Sequence, residues 1–254
     1  MKKIALITIL ASALLLMACD DEPDAAADEP TQDHAQEEIV EEEPQDDQSD
    51  DEAEADAPRT AETATPDDDA IGELPEGLGI AVGESAPDTT AQTEDGEDVQ
   101  ILELVEDEGI VLFFYRGGWC PFCNFQIREM TQAADDFAEK GYRPVAISVD
   151  QPDAAMDTSE AYEIPYPVLS DPDLVAHEAF NVIYEADDDE VAQLAEGGMD
   201  LEAHSGRDHH SFAVPSVFII DADGEVLWAH ANMDYSIRPS PQQLLSVLDD
   251  LQGQ

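Results

Sequence analysis

Basic residues are nearly missing from this chain of 254 residues: 9 Lys and Arg stand against 62 Asp and Glu, for a formal net charge of −53. Nothing here could neutralise a phosphate backbone, so nucleic-acid binding is excluded. Docking on anionic lipid through basic patches is excluded for the same reason. Cysteines number 3, too few for a disulfide scaffold. Aromatics make up only 6% of residues, and none lies in residues 20–78. No apolar run is long enough to cross a bilayer as a helix. No glycine-rich G-x-G-x-x-G run is present, so no nucleotide or flavin cofactor is implied.

What is present divides the chain into three parts. Residues 1–19 begin with Lys2 and Lys3 and continue as a short apolar run ending in Leu16-Met17-Ala18-Cys19. This has the layout of an export signal, and its last four residues resemble the lipobox of bacterial lipoproteins. That resemblance implies cleavage before Cys19, lipidation of Cys19 and attachment to the periplasmic side of a membrane. Asp20 resembles the retention signal that favours the inner over the outer membrane. Residues 20–78 are crowded with Asp and Glu, contain one base, Arg59, and have few large aliphatics. Such a segment cannot bury enough apolar surface to offset its chain entropy, so a disordered, self-repelling linker is expected.

Residues 79–254 carry the fold. The run 110–115 (IVLFFY) reads as a strand buried on both faces. A helix is expected over 121–139. Its apolar positions Cys123, Ile127, Met130, Ala134 and Phe137 step by four, three, four and three, and Gly141 follows as a stop signal. Further strands are expected over 144–149, 168–169, 217–220 and 226–229, the last two joined by Asp221-Ala222-Asp223-Gly224 as a hairpin turn. Residues 99–104 read as strand or short helix. Helices are expected over 153–162, 174–180, 190–196 and 241–251. This alternation predicts an α/β domain with a central mixed sheet flanked by helices. Even this part is strongly acidic with Lys140 its only lysine, which suits a saline setting where repulsion is screened.

Chemistry concentrates in Trp119-Cys120-Pro121-Phe122-Cys123, between the buried strand and its helix. Taken alone, two cysteines fit half a zinc site, a structural disulfide or a redox pair. Zinc would need the only clustered histidines, His204, His209 and His210. A disulfide closing so small a loop stabilises little. The strand–helix context favours the redox pair. Cys120 is expected at the helix N-terminus, where free N–H groups and the dipole favour a thiolate. Pro121 suits the first helical position. Cys123 is expected one turn on, facing the core and placed to trap oxidised Cys120.

Ala213-Val214-Pro215-Ser216 precedes the strand over 217–220. Here the chain resembles the thioredoxin-like superfamily, which implies a cis-proline at Pro215, facing the redox cysteine, with neighbouring backbone groups free for a substrate chain. The fuller resemblance is to the peroxiredoxin-like branch of the alkyl hydroperoxide reductase and thiol-specific antioxidant (AhpC/TSA) family. It rests on FYRGGWCPFC at 114–123, PVAISVDQ at 144–151, LSDPD at 169–173, VPSVFIIDADG at 214–224 and DYSIRPSP at 234–241. It implies a thioredoxin-like fold and a thiol peroxidase with Cys120 as attacking sulfur and Cys123 as resolving sulfur. It also implies a hydroperoxide substrate and a thioredoxin-type reductant. A thiol–disulfide oxidoreductase acting on exported protein disulfides is the alternative. Trp119, Arg116 and Pro215 are the candidate substrate-binding residues. The family's Pro and Thr, seven and three residues before the reactive cysteine, are Phe113 and Gly117 when counted from Cys120. The family arginine is replaced by Val214-Pro215, leaving Arg116 or Arg238 to supply the charge.

Overall fold

The computed structural model describes residues 70–105 and 108–253. The signal segment with Cys19, and the linker as far as residue 69, lie outside the described residues. Residues 72–79, nearly all assigned to the linker by composition, lie against the domain. Gly72 N–H donates to His230 Nδ1 at 3.3 Å, Ala231 N–H to the Glu73 carbonyl at 3.0 Å and Gly79 N–H to the Asn181 carbonyl at 2.9 Å. The folded unit therefore begins before residue 79.

A central strand, β3 (Gly109–Phe114), is buried along its whole length, as its unbroken apolar run requires. It pairs in parallel with β4 (Tyr142–Ser148), which pairs in parallel with β5 (Val168–Ser170). On its other edge β3 runs antiparallel to β8 (Ser216–Ile220), which turns back into β9 (Val226–Ala231). Two short antiparallel strands, β1 (Thr90–Gln92) and β2 (Asp98–Gln100), complete a seven-stranded mixed sheet in the order β2-β1-β5-β4-β3-β8-β9. A separate two-stranded ribbon joins β6 (Ile183–Glu185) to β7 (Ser211–Ala213). The Asp221–Gly224 turn forms as expected: the Asp221 carboxylate accepts from the N–H groups of Asp223 and Glu225.

Helices cover both faces of the sheet. On one, Val111, Phe113 and Ile219 pack under α1 (Pro121–Gln132), α2 (Ala134–Glu139) and α7 (Pro241–Gln252). On the other, Ile110, Leu112, Phe114 and Phe218 pack against Ala176 of α4 (Val175–Ala179) and against Phe180 and Val182. Helix α3 (Pro152–Ala161) follows β4; α5 (Asp188–Glu196) and α6 (Leu201–Ser205) fill the connection between β6 and β7.

The single helix expected over 121–139 is two. The helix breaks at Ala133 (φ −98°, ψ 4°). Just before the break the Tyr166 hydroxyl donates to the Ile127 carbonyl at 3.3 Å and accepts from Thr131 Oγ1 at 3.4 Å, drawing on groups of the last turn. Strands β1, β6 and β7 have no counterpart in the sequence reading. Three residues each (TAQ, IYE, SFA) are too few to show a period.

Candidate active site

The redox motif sits where β3 ends and α1 begins. Cys120 is the N-cap of α1, its Sγ accepting from the Cys123 N–H at 3.4 Å, and Pro121 occupies the first turn. Cys123 lies one turn along, on the buried face with Ile127 and Met130. Both thiols are free, with 2% of Cys120 and none of Cys123 exposed.

The loop ahead of the pair is held from two sides. The Gly118 N–H donates to Asp150 Oδ2 at 2.7 Å, and Asn124 Nδ2 donates to the Gly118 carbonyl at 2.8 Å. Two glycines are needed here. A Cβ on Gly117 would lie 2.3 Å from Trp119 Nε1 and 2.8 Å from Asp150 Oδ1, and one on Gly118 would lie 2.2 Å from Thr158 Oγ1. Gly117 also has φ +152°, which disfavours a side chain.

Charge is distributed differently from the sequence expectation. Arg238, from the DYSIRPSP segment, donates through Nη2 to Cys123 Sγ at 3.3 Å. It is itself held by Gln126 Oε1 on Nη1 (2.7 Å) and the Tyr235 carbonyl on Nε (2.8 Å). Full burial works against a charge on Cys123. The hydrogen bond from the Cys120 thiol, the Arg238 guanidinium and the Arg116 backbone N–H nevertheless bring it down to about 6. The same sulfur–sulfur hydrogen bond, with burial added, pushes Cys120 well above an ordinary thiol. The full positive charge thus lies against Cys123, whereas the expected thiolate position, Cys120, has the Cys123 N–H. A helix N-terminus supplies partial charge and a guanidinium supplies a whole one, here within hydrogen-bond reach. Sequence reasoning named Arg238 only as a substitute for the missing family arginine, since its chain position, far from the motif, reveals no proximity.

The Arg116 guanidinium adds a smaller lowering to Cys123 through its charge, and its contacts are with rings. The group lies over three rings, 4.3 Å from Phe212, 4.7 Å from Tyr235 and 5.0 Å from Trp119, with Glu190 Oε1 3.9 Å from Nη2. Trp119 is thereby part of an aromatic cage around Arg116, its ring 5.7 Å from Phe212. Beside the cage opens a cavity of about 280 Å³ lined by Arg116, Glu190, Pro215, Met233 and Tyr235 among others.

Pro215 lines that cavity, but the cis-proline implied by resemblance is absent: every peptide bond among the described residues is trans. Nor is the adjoining backbone free. The Val214 N–H donates to the Val182 carbonyl at 2.7 Å, the Val214 carbonyl accepts from Ser216 Oγ at 2.7 Å, and the Pro215 carbonyl accepts from Asn232 N–H at 3.2 Å. Neighbouring segments have taken the partners a substrate chain would need.

Asp150 is a site residue the sequence reading missed. It follows β4 in the PVAISVDQ run, is fully buried, and accepts from Gly118 N–H and from Ser148 Oγ at 3.0 Å. An acid directly after a buried apolar strand was the available signal. The three clustered histidines do not converge. His204 Nδ1 stands 3.9 Å from Asp150 Oδ1, His209 Nε2 is 3.0 Å from the Pro172 carbonyl, and His210 Nε2 is 2.9 Å from Glu202 Oε1.

Comparison with known proteins places these features in context. The family model described as the AhpC/TSA family matches residues 82–229. A 1-Cys peroxiredoxin of Triticum aestivum is 24% identical over 145 residues, covering 54% of this chain and 66% of the relative. One of Hordeum vulgare is 25% identical over 123 residues, covering 46% of this chain and 56% of the relative. The chain thus spans less than two thirds of the length of either plant protein. Among solved structures, reduced Prx3 of Vibrio vulnificus in complex with hydrogen peroxide superposes with a TM-score of 0.55 at 20% identity, over 66% of this chain and 99% of that one. Peroxidoxin BcpB of Mycobacterium tuberculosis does so with a TM-score of 0.52 at 22% identity, over 68% and 98%. These superpositions establish the thioredoxin-like fold.

Proposed function

The chain belongs to the AhpC/TSA family, and on that premise we propose that it is a thiol peroxidase in which Cys123 attacks and Cys120 resolves. The observation that carries this reading is the Arg238 guanidinium, 3.3 Å from Cys123 Sγ. A hydrogen bond of this kind holds the sulfur ionised near neutral pH and stabilises negative charge developing on the oxygen it displaces. Counted from Cys123, the family's threonine position is occupied by Cys120, which places a thiol where the family has a hydroxyl.

The Cys123 thiolate attacks one peroxide oxygen. An S–O bond forms as the O–O bond breaks, the sulfur is oxidised to a sulfenic acid, and the departing alkoxide takes up a proton. Loss of the Cys123 charge removes what held the Cys120 proton in place. The Cys123 N–H, already directed at Cys120 Sγ, then stabilises the Cys120 thiolate. Cys120 displaces the sulfenic oxygen as water and a disulfide closes. A dithiol of the thioredoxin type restores the pair. Residues 1–19 support export and lipid attachment through Cys19 from sequence alone.

Stopped-flow mixing of reduced protein with hydrogen peroxide tests the assignment. Cys120→Ser is expected to form a trappable sulfenic acid without a disulfide, and Cys123→Ser to lose rapid oxidation. Rapid oxidation that survives in Cys123→Ser but not in Cys120→Ser would restore the reverse assignment. Slow reaction with peroxide beside rapid exchange on a protein disulfide would favour the oxidoreductase alternative, for which the Trp119-Cys120-Pro121-Phe122-Cys123 motif speaks.

A further inference from the structure

Asp150 is more than a clamp on the redox loop. Its Oδ2 is fully engaged by Gly118 and Ser148, yet its buried Oδ1 has no hydrogen-bond partner. A buried carboxylate oxygen left unpaired is costly to keep. His204 Nδ1 stands 3.9 Å from that oxygen, and the His204 side chain is 36% exposed. The ionisable groups facing Asp150 are Cys123 from α1, His204 from α6 and Tyr115 just past β3. The Tyr115 hydroxyl is also buried without a hydrogen bond of normal geometry.

The thiol chemistry above makes a demand on this place. The resting pair holds one proton between two sulfurs. Oxidation by a peroxide consumes that monoanion and yields disulfide, alcohol and water, so one proton must enter. Re-reduction to the monoanion releases one. Cys123 has no solvent-exposed surface and Cys120 only 2%. We propose that Asp150 carries this proton to and from the cysteine pair and that His204 exchanges it with solvent. The inference rests on the dithiol reading, but not on peroxide being the oxidant. Burial pushes Asp150 up to about 6, so both of its protonation states are accessible near neutral pH.

A small nitrobenzoate disulfide separates the steps. Mixed with reduced full-length protein, it releases one coloured thiolate when the first sulfur attacks and a second when the other closes the disulfide. Closure expels the proton of the pair, so it reports on the carrier without any peroxide. The attack phase contains the ionisation of Cys123 itself, which makes the ratio of closure to attack rate the informative quantity. Asp150→Asn is expected to lower that ratio about tenfold or more and to flatten its pH dependence around pH 6. His204→Gln is expected to lower it less, with recovery on adding imidazole. Circular dichroism melting identifies variants that fold. An unchanged ratio and pH profile in folded Asp150→Asn would overturn the proposal. If that variant does not fold, His204→Gln decides: no slowing, or slowing that imidazole does not relieve, would overturn it. A protein showing this dependence while ignoring peroxide would remove the peroxidase reading and leave the proton carrier standing.

Discussion

Two side chains far apart in sequence decide the chemistry of the motif. Arg238 donates to Cys123 Sγ, and the buried Asp150 holds the Gly118 N–H of the loop ahead of the pair. Replacing Arg238 by Met removes the charge and keeps an apolar stem. The Cys123 thiol then rises from about 6 towards the ordinary thiol range. Alkylation of the reduced protein by iodoacetamide at pH 7 should slow about tenfold or more, with its pH midpoint moved upward. Asp150 makes a prediction for stability. Its carboxyl, pushed up by burial, keeps its proton to about pH 6 in the folded protein, whereas the unfolded chain releases it near the ordinary aspartate value of 3.8. The native state binds more protons in that window, so its stability falls as pH rises through it. Asp150→Asn lacks this loss, and the melting temperature of the variant relative to the parent should climb between pH 4 and pH 6. A constant difference across those pH values would contradict the assignment.

At the scale of elements, the short helix α4 shows how one acid can hold a local structure together. Asp171 accepts from the N–H groups of Val175, Ala176 and His177 at 2.9 Å each and lies 2.6 Å from His177 Nδ1. Asp171 and His177 are both buried, and the His177 ring meets Phe114 of the central strand edge-on, with centroids 5.0 Å apart. Asp171→Ala strands these donors in the interior. Chemical denaturation should show a loss of about 2–4 kcal/mol. A loss under about 0.5 kcal/mol, the range of an ordinary surface change, would contradict the arrangement. The sequence pattern predicts α4, over 174–180, but not α6, which has the same length. Helix α6 is barely more than one turn, begun by the Asp200 carboxylate accepting from Ala203 N–H, yet it carries His204.

For the whole molecule, charge is the dominant fact. A chain with a net charge of −53 repels itself at low ionic strength. Unfolding midpoints should rise as NaCl is raised from about 0.05 M to molar concentrations, where the Debye length falls to about 3 Å. Equal stability at both ends would show that the acidic surface does not govern the fold. The proposed lipoprotein reading of residues 1–19 makes a separate prediction: expressed in a bacterial host, the protein should fractionate with membranes and Cys19→Ala should move it to the soluble fraction. On that reading the variant lacks the site for the acyl chains that would anchor it. Parent protein found soluble would remove the lipoprotein reading.

Sequence alone determined the α/β class, the buried central strand, the amphipathic helix that follows it and the placement of both cysteines at their junction. These are local consequences of side-chain period, glycine and proline placement and helix-end chemistry, and they need no knowledge of distant contacts. Its motifs also carried the family resemblance. Tertiary structure decided which sulfur has a guanidinium beside it, because the group next to Cys123 comes from Arg238, 115 positions along the chain. It also decided that Asp150 belongs to the site and that the backbone at Val214-Pro215 is already paired. Electrostatic and hydrogen-bond energies depend on separation in space, and separation along a chain reports that only within a turn or a hairpin.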